Sequence, residues 1–422
     1  MNFSNANIGS AIDNLKSPVH NWYKFTAGFS HRFVERIIEE EKLKAGASSV
    51  IFDPFAGCGT TLVSSQKAGI PAIGNEGQEF LYDVIRAKLR WKIDEGEFES
   101  YLEFIEDYVR ANYSSFDVQS AAHPLLKSLY KTDALIRLYL VRNSLDFISR
   151  YKYRFFFKLA LSQTLHKVSI HPIATPYIAR KKNLTNTTRA WEFFERISRQ
   201  MLADTSQLRE QKLTSRIYLH DSRGVNSEIH NNESSICITS PPYLNNLDYG
   251  EVSKVHTHFF EYTSDWNDIT RRVRRKLVTG ATTHYVKSEF DLEQFKQSDF
   301  YYSNRRIADS LIKTAEEIKM AGKGRAGKKS FDILILLYFN DMYQVLKEIR
   351  RVVKKGGKAY LILGDSAPFG IYVPTTRIIG KISRNIGFDR FRVHKIRVRG
   401  TKWKSLKSRH SLELAEGAVV LQ

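Results

Sequence analysis

Short β-branched and apolar runs recur along the chain, each followed by a turn residue and then a stretch of helical period, the pattern of an α/β sheet. Seven such runs are predicted as strands: Ser49 to Phe52, Pro71 to Asn75, Arg216 to His220, Ser235 to Thr239, Lys358 to Leu363, Phe391 to Val398 and Gly417 to Gln422. No helix separates the last two, which predicts a final antiparallel hairpin on an otherwise parallel sheet. About 140 residues lie between the second and third strands, far more than a connection needs, so a further unit is inserted there. Within it, Tyr101-Leu102-Phe104-Ile105-Tyr108-Val109 and Phe155-Phe156-Leu159-Leu161 place apolar residues on one helix face and read as core. His171 to Asn186, with Arg180-Lys181-Lys182, reads as a basic loop, and Ile333 to Phe339 as a buried strand or helix segment too short to span a membrane. Five segments follow: 1–97 and 214–244 as parts of the sheet domain, 98–213 as a helical insertion, 245–330 as a second excursion, and 331–422 as the strongly basic last part of the sheet domain.

Composition agrees with a folded chain. Its 422 residues, 42% hydrophobic and 26% charged, suffice for two or three domains with ample core. Cys58 and Cys237 are the only cysteines, so no disulfide framework exists, and the polar stretch Met1 to His20 does not read as a signal peptide. A cytoplasmic protein is expected. Lys and Arg number 65 against 45 acidic residues, a net charge of +20, which predicts a polyanionic partner. Between Arg350 and Arg409 there are 17 Lys/Arg against Asp365 and Asp389, an excess of 15 in that stretch alone. Arg397, Arg399, Lys402 and Lys404 are the expected phosphate contacts. The shorter run Arg271 to Lys276 reads equally well as solvated surface.

Two motifs carry chemistry. Asp53-Pro54-Phe55-Ala56-Gly57-Cys58-Gly59-Thr60-Thr61 follows the first strand, and its glycines permit a tight turn with close backbone approach to a ligand. It has the form of a loop that seats S-adenosylmethionine, with Asp53 facing the ammonium group and Thr60 and Thr61 capping the next helix. Glu76, at the end of the second strand, is placed to accept from ribose hydroxyls, and Asp221-Ser222, after the third, to lie beside the adenine, with a helix N-cap as the other reading of Asp221. The second motif, Thr239-Ser240-Pro241-Pro242-Tyr243, suits an aromatic amine, a weak nucleophile because its lone pair is delocalised. The Ser240 hydroxyl oxygen and the Pro241 carbonyl can accept its two N–H bonds, Pro241 and Pro242 hold that corner rigid, and the Tyr243 ring can stack on an extruded base. Neither cysteine follows a proline as an attacking thiolate would, and the twelve histidines show no metal-ligand spacing. His256 and His258 read as surface residues.

These motifs resemble the amino-methylating DNA methyltransferases of prokaryotic restriction-modification systems, the cytosine-N4 group with Ser-Pro-Pro-Tyr above all. His20 to Ser30, including Phe25, is similar to that family's preceding cofactor segment. Phe339-Asn340-Asp341-Met342, Lys354 to Lys358 and Gly364-Asp365-Ser366 resemble its later motifs, which support the target pocket. The resemblance covers about 240 residues in pieces and leaves both excursions outside. It implies a Rossmann-like seven-stranded methyltransferase sheet, S-adenosylmethionine as cofactor with no metal, double-stranded DNA as partner, and no membrane association. A cognate restriction endonuclease is compatible as a second partner. Cytosine N4 is the expected acceptor, with adenine N6 the alternative. A structured RNA as substrate and a non-catalytic DNA-binding regulator are two further readings. Sequence recognition is expected in 98–213 or in 245–330.

Overall fold

The computed structural model describes residues 11–25, 27–46, 48–174, 177–206, 208, 215–324, 329–399 and 412–422. All seven expected strands are present: β1 (Ile51–Asp53), β2 (Ala72–Glu76), β3 (Arg216–Leu219), β4 (Ser234–Thr239), β5 (Val353–Gly364), β6 (Phe391–Arg399) and β7 (Leu414–Leu421). They form one sheet in the order β3-β2-β1-β4-β5-β7-β6. The first five run parallel, with Ile51 opposite both Ala72 and Ile236, while β7 enters antiparallel between β5 and β6. The expected hairpin is therefore the β6–β7 pair. Among the described residues, no helix is long and apolar enough to cross a membrane.

Central parallel strands are covered on both faces, which is why they are apolar throughout instead of alternating with polar residues. Successive side chains nevertheless divide between two cores. Ile51, Ile236, Ile238, Tyr360 and Ile362 point to one, and Phe52, Ile73, Cys237, Ala359, Leu361 and Leu363 to the other. On the first face lie α1 (His31–Glu40), α2 (Thr60–Lys67), α3 (Glu79–Lys88) and the long helices of the insertion: α4 (Glu95–Asn112), α5 (Thr132–Ser144), α6 (Tyr151–Val168) and α7 (Ala190–Ser206). Leu102, Ile105 and Val109 of α4 and Phe155, Phe156, Leu159 and Leu161 of α6 are buried, as their spacing predicts, whereas Phe104 is 38% exposed. The insertion shares this continuous core and packs on α3 and on the helix that follows β4.

After β4 come α8 (Tyr249–Phe259), α9 (Arg305–Ala321) and α10 (Phe331–Val352), and α11 (Thr375–Asn385) follows β5. The last three cover the second face. The Ile333–Phe339 run lies inside α10 and is a helix segment. Within the loop after α6, Ile173–Ala174 and Tyr177–Ile178 make a two-residue antiparallel pair.

Two surface readings are overturned. His256 and His258 are 1% and 7% exposed. His256 stacks on Phe80 and lies 3.1 Å, Nε2 to Nε2, from His166, while His258 stacks on His123. Helical period alone placed them on different faces, but α8 is enclosed on both sides by the insertion and α3. In the Arg271–Lys276 run, Arg274 is fully buried: it pairs with Asp248 at 2.8 Å, and its guanidinium lies 3.9 Å from the Trp266 ring centre.

Candidate active site

Strand order reverses between β1 and β4, so their carboxyl ends open a crevice of the kind in which α/β sheets hold ligands. Asp53 ends β1 and Thr239 ends β4. The Thr239 hydroxyl donates to Asp53 Oδ1 at 2.6 Å, and the Thr61 hydroxyl donates to the Ile238 carbonyl at 3.3 Å. Two motifs 186 residues apart thus meet at one point.

Past Asp53, Gly57 and Gly59 take φ values of 57° and 86°, conformations a side chain would strain. Gly59 is the N-cap of α2, without a side-chain cap, so the expected capping by Thr60 and Thr61 does not occur. The Thr61 hydroxyl is committed to β4 instead.

Asp53 is wholly buried. Burial pushes its carboxyl up to about 6, against opposing hydrogen bonds to Oδ1 from the Thr239 hydroxyl and the Phe55 N–H, and its Oδ2 has no partner. Glu76 accepts from the Gly57 N–H and from the Gln78 N–H, each at 2.8 Å. Its burial outweighs those bonds, and with the nearby Asp53 charge it raises the carboxyl to about 7.

In front of this junction lies a concave, partly open cleft. Phe25, Pro54, Phe55, Gly57, Thr60, Glu76, Asp221 and Ser222, of the expected cofactor set, line it together with Ser240 and Pro242. Asp53, Gly59, Thr61, Pro241 and Tyr243 do not line it. Asp221 begins no helix: it accepts from the Arg223 N–H at 3.0 Å and pairs with the Arg223 guanidinium at 2.6 Å. The Ser222 hydroxyl donates to the Pro54 carbonyl, joining the third strand's loop to the first.

The acceptor segment is held from several directions. Ser240 donates its hydroxyl proton to the Ile362 carbonyl at 3.4 Å, which leaves its oxygen able to accept. Tyr338 of α10 donates to the Pro242 carbonyl at 2.9 Å. The Tyr243 hydroxyl donates to Glu416 Oε1 at 2.8 Å, and burial together with that carboxylate pushes the phenol well above its ordinary value. Glu416, 2% exposed, also pairs with Arg397. Arg399 lays its guanidinium 4.9 Å from the Tyr243 ring centre and donates to Asn246 at 3.3 Å. Of the two arginines expected to meet phosphate, Arg399 thus lies against the acceptor segment, and Arg397 is paired with the carboxylate that holds Tyr243. Lys402 and Lys404 lie outside the described residues.

Part of the wall has no signature in the sequence. Gln78 and Leu81, at the start of α3, follow Glu76 closely enough to be suspected. Tyr249, Lys276, Leu277 and Val278 come from the second excursion, and nothing local marks them. A Cβ on Gly77 would fall 2.8 Å from the Lys276 carbonyl, so only glycine lets this strip close on the end of β2. Asp341 anchors the strip by accepting from the Thr279 N–H at 2.9 Å and the Thr279 hydroxyl at 2.8 Å, and Arg223 reaches the same carboxylate at 3.3 Å.

No family model matches the chain. It is 23% identical to the Type II methyltransferase M.BsoBI of Geobacillus stearothermophilus, over 94% of this chain and 83% of that protein. Identity to the Type II methyltransferase M.AvaI of Anabaena variabilis is 23%, over 89% and 80%. For the Type II methyltransferase M.MvaI of Kocuria varians it is 20%, over 93% and 86%. Across nearly its whole length the chain is therefore similar to Type II methyltransferases, and its sheet is the Rossmann-like seven-stranded sheet of a methyltransferase.

Proposed function

We propose that this chain transfers a methyl group from S-adenosylmethionine to the exocyclic amine of a base in a specific double-stranded DNA site, with cytosine N4 as the favoured acceptor. The observation that carries the reading is the Thr239–Asp53 junction, which brings the glycine loop and the Ser-Pro-Pro-Tyr corner to one cleft. The similarity to Type II methyltransferases and the basic stretch after Arg350 support DNA as the substrate.

The residues present fit the donor. Asp53 Oδ2, buried without a partner, is an acceptor suited to an ammonium group, and Glu76 on the cleft wall is suited to ribose hydroxyls, with Asp221 and Ser222 toward the adenine. Phe25 and Phe55 supply apolar wall. Bound S-adenosylmethionine supplies a methyl group on a positively charged sulfur, a strong electrophile. Ser240 and the Pro241 carbonyl accept the amine's N–H bonds and turn its lone pair out of conjugation, while Tyr243 stacks on the base. Direct transfer requires no enzyme nucleophile. Both cysteines are buried, and burial raises the Cys237 thiol far above its ordinary value, away from the thiolate that attack on a ring carbon needs.

Adenine N6 is the alternative acceptor, because the same two acceptors serve its amine. Residues 245–330 are the favoured recognition region, since Lys276 to Val278 already reach the cleft, and the insertion 98–213 is the other candidate. Incubating the protein with labelled donor and duplex DNA, with total RNA in parallel, and identifying methylated nucleosides by mass spectrometry tests the reading. N4-methylcytosine in DNA is expected. Methyladenine alone overturns the choice of base, and label confined to RNA or absent overturns the function.

A further inference from the structure

We propose that Arg223 is a positioning residue for both halves of the reaction: by joining Asp221 to residues 275–280 it fixes the donor side of the cleft and the acceptor corner relative to each other. The proposal rests on the donor and acceptor roles given above.

Leu277 to Val286 contribute no helix or strand, so no ladder of backbone hydrogen bonds sets their position and side chains must do it. The first part of this stretch nevertheless borders both ends of the cleft. Lys276, Leu277 and Val278 line it, and the Lys276 carbonyl lies where a Cβ on Gly77, one residue past β2, would fall 2.8 Å away. At the other end, a Cβ on Gly280 would fall 3.3 Å from the Tyr243 carbonyl and 3.5 Å from the Pro242 Cβ. One strip thus rests on the end of β2 and on the Ser-Pro-Pro-Tyr corner. A shift of the strip would be felt at both.

A single guanidinium holds it. Arg223 Nε donates to Asp221 Oδ1 at 3.0 Å and Nη2 to Asp221 Oδ2 at 2.6 Å, a forked pair with a residue of the cleft wall. Nη2 also donates to the Arg275 carbonyl, and Nη1 donates to Asp341 Oδ2 at 3.3 Å. That same Oδ2 takes the Thr279 N–H at 2.9 Å and the Thr279 hydroxyl at 2.8 Å. Arg223 therefore holds the strip at 275 directly and at 279 through Asp341, while its fork grips Asp221. Two carboxylates and a carbonyl are satisfied together because the guanidinium is planar and carries donors on three nitrogens; the point charge of a lysine cannot span them. Arg223 does not itself line the cleft, so its influence runs through Asp221 and the strip.

Three measurements on the full chain decide the matter: calorimetric titration with S-adenosylhomocysteine, label transfer to unmethylated bacterial genomic DNA at saturating donor, and amide hydrogen exchange of the unliganded protein. Arg223→Met should bind S-adenosylhomocysteine about tenfold more weakly and, with donor saturating, should still transfer label about tenfold more slowly. Arg223→Lys, which keeps the charge without the fork, should do the same and serves where the first variant does not fold. Exchange in residues 275–280 should quicken about tenfold in either variant, with β1, β2 and β4 unchanged. Asp341→Leu cuts the strip from Arg223 and leaves Asp221 its pair; it should slow transfer, and combined with the Arg223 change it should add less than about threefold. Asp341→Asn retains an oxygen for Thr279 and should keep most of the rate. A loss that vanishes at saturating donor means that Arg223 serves Asp221 alone and overturns the proposal. Unchanged exchange in 275–280, faster exchange throughout the sheet, or losses that multiply in the double variant overturn it as well. Failure of the unmodified protein to bind S-adenosylhomocysteine overturns the donor reading instead.

Discussion

Thr239 gives its hydroxyl proton to Asp53 across 2.6 Å, tying the end of β4 to the end of β1 where the sheet changes direction. Thr239→Val keeps the shape and removes the bond, leaving the buried carboxyl short of a donor. A stability loss of about 1–2 kcal/mol is expected in denaturant unfolding, with donor affinity lowered about tenfold by calorimetry. If neither quantity moves, the junction has no energetic role.

Donor binding should depend on pH. Asp53 and Glu76, raised to about 6 and about 7 by burial, are partly protonated in the unliganded protein near neutrality. An ammonium group and ribose hydroxyls require the carboxylates, so affinity should rise between pH 6 and 8, with proton release on binding. Titrations in buffers of different ionisation enthalpy read that release directly. Glu76→Gln should bind more weakly and lose the dependence near pH 7.

The same groups act on stability, in opposition to the buried imidazoles. Carboxyls with raised folded values bind more protons folded than unfolded, so they favour the folded state increasingly as pH falls from about 7 toward about 4. His166, lowered by burial to about 4, and His256, lowered well below its ordinary value, do the reverse: the unfolded chain takes up their protons first, and stability is lost as pH falls below about 6.5. The two contributions offset one another over pH 5 to 6.5. In Asp53→Asn/Glu76→Gln, thermal unfolding should therefore fall away more steeply on acidification than in the parent.

Replacing Ser240 and Tyr243 with alanine should abolish methyl transfer, measured as incorporated label, while leaving binding of S-adenosylhomocysteine within about threefold. A fully active double variant would refute the assigned roles. Tyr243→Phe keeps the ring and loses only the bond to Glu416, so it should retain part of the activity.

Arg397 and Arg399 should differ in effect. Arg397→Ala leaves the buried Glu416 with one donor fewer, which should destabilise by about 1–3 kcal/mol, and Glu416→Gln in the same chain should recover much of that. Arg399→Ala should leave stability nearly unchanged and reduce the salt slope of DNA binding by about one, because its guanidinium is free to exchange the Tyr243 ring for a phosphate. Equal destabilisation by both would contradict this division.

Much of the architecture was legible in the sequence, because strand formation, glycine turns and helical stripes are local properties. The seven strands, the glycine loop and the Ser-Pro-Pro-Tyr corner are each marked by a short local run, and the closing hairpin by the lack of a helix between its two strands. Side-chain engagement did not. His256 and His258 look like surface residues on their own helix and are buried by the insertion and α3. Arg274 looks like one of a solvated run and is the buried partner of Asp248.

Sequence alone determined the fold class and where the two motifs stand along the chain. Tertiary structure alone decided that Thr239 bonds Asp53, that Lys276 to Val278 wall the cleft, and that Glu416 holds Tyr243. The physical reason is distance along the chain. A β-branched run or a left-handed glycine is favoured by its own backbone, whereas a hydrogen bond between residues 173 or 186 positions apart exists only after the intervening segments have folded and packed.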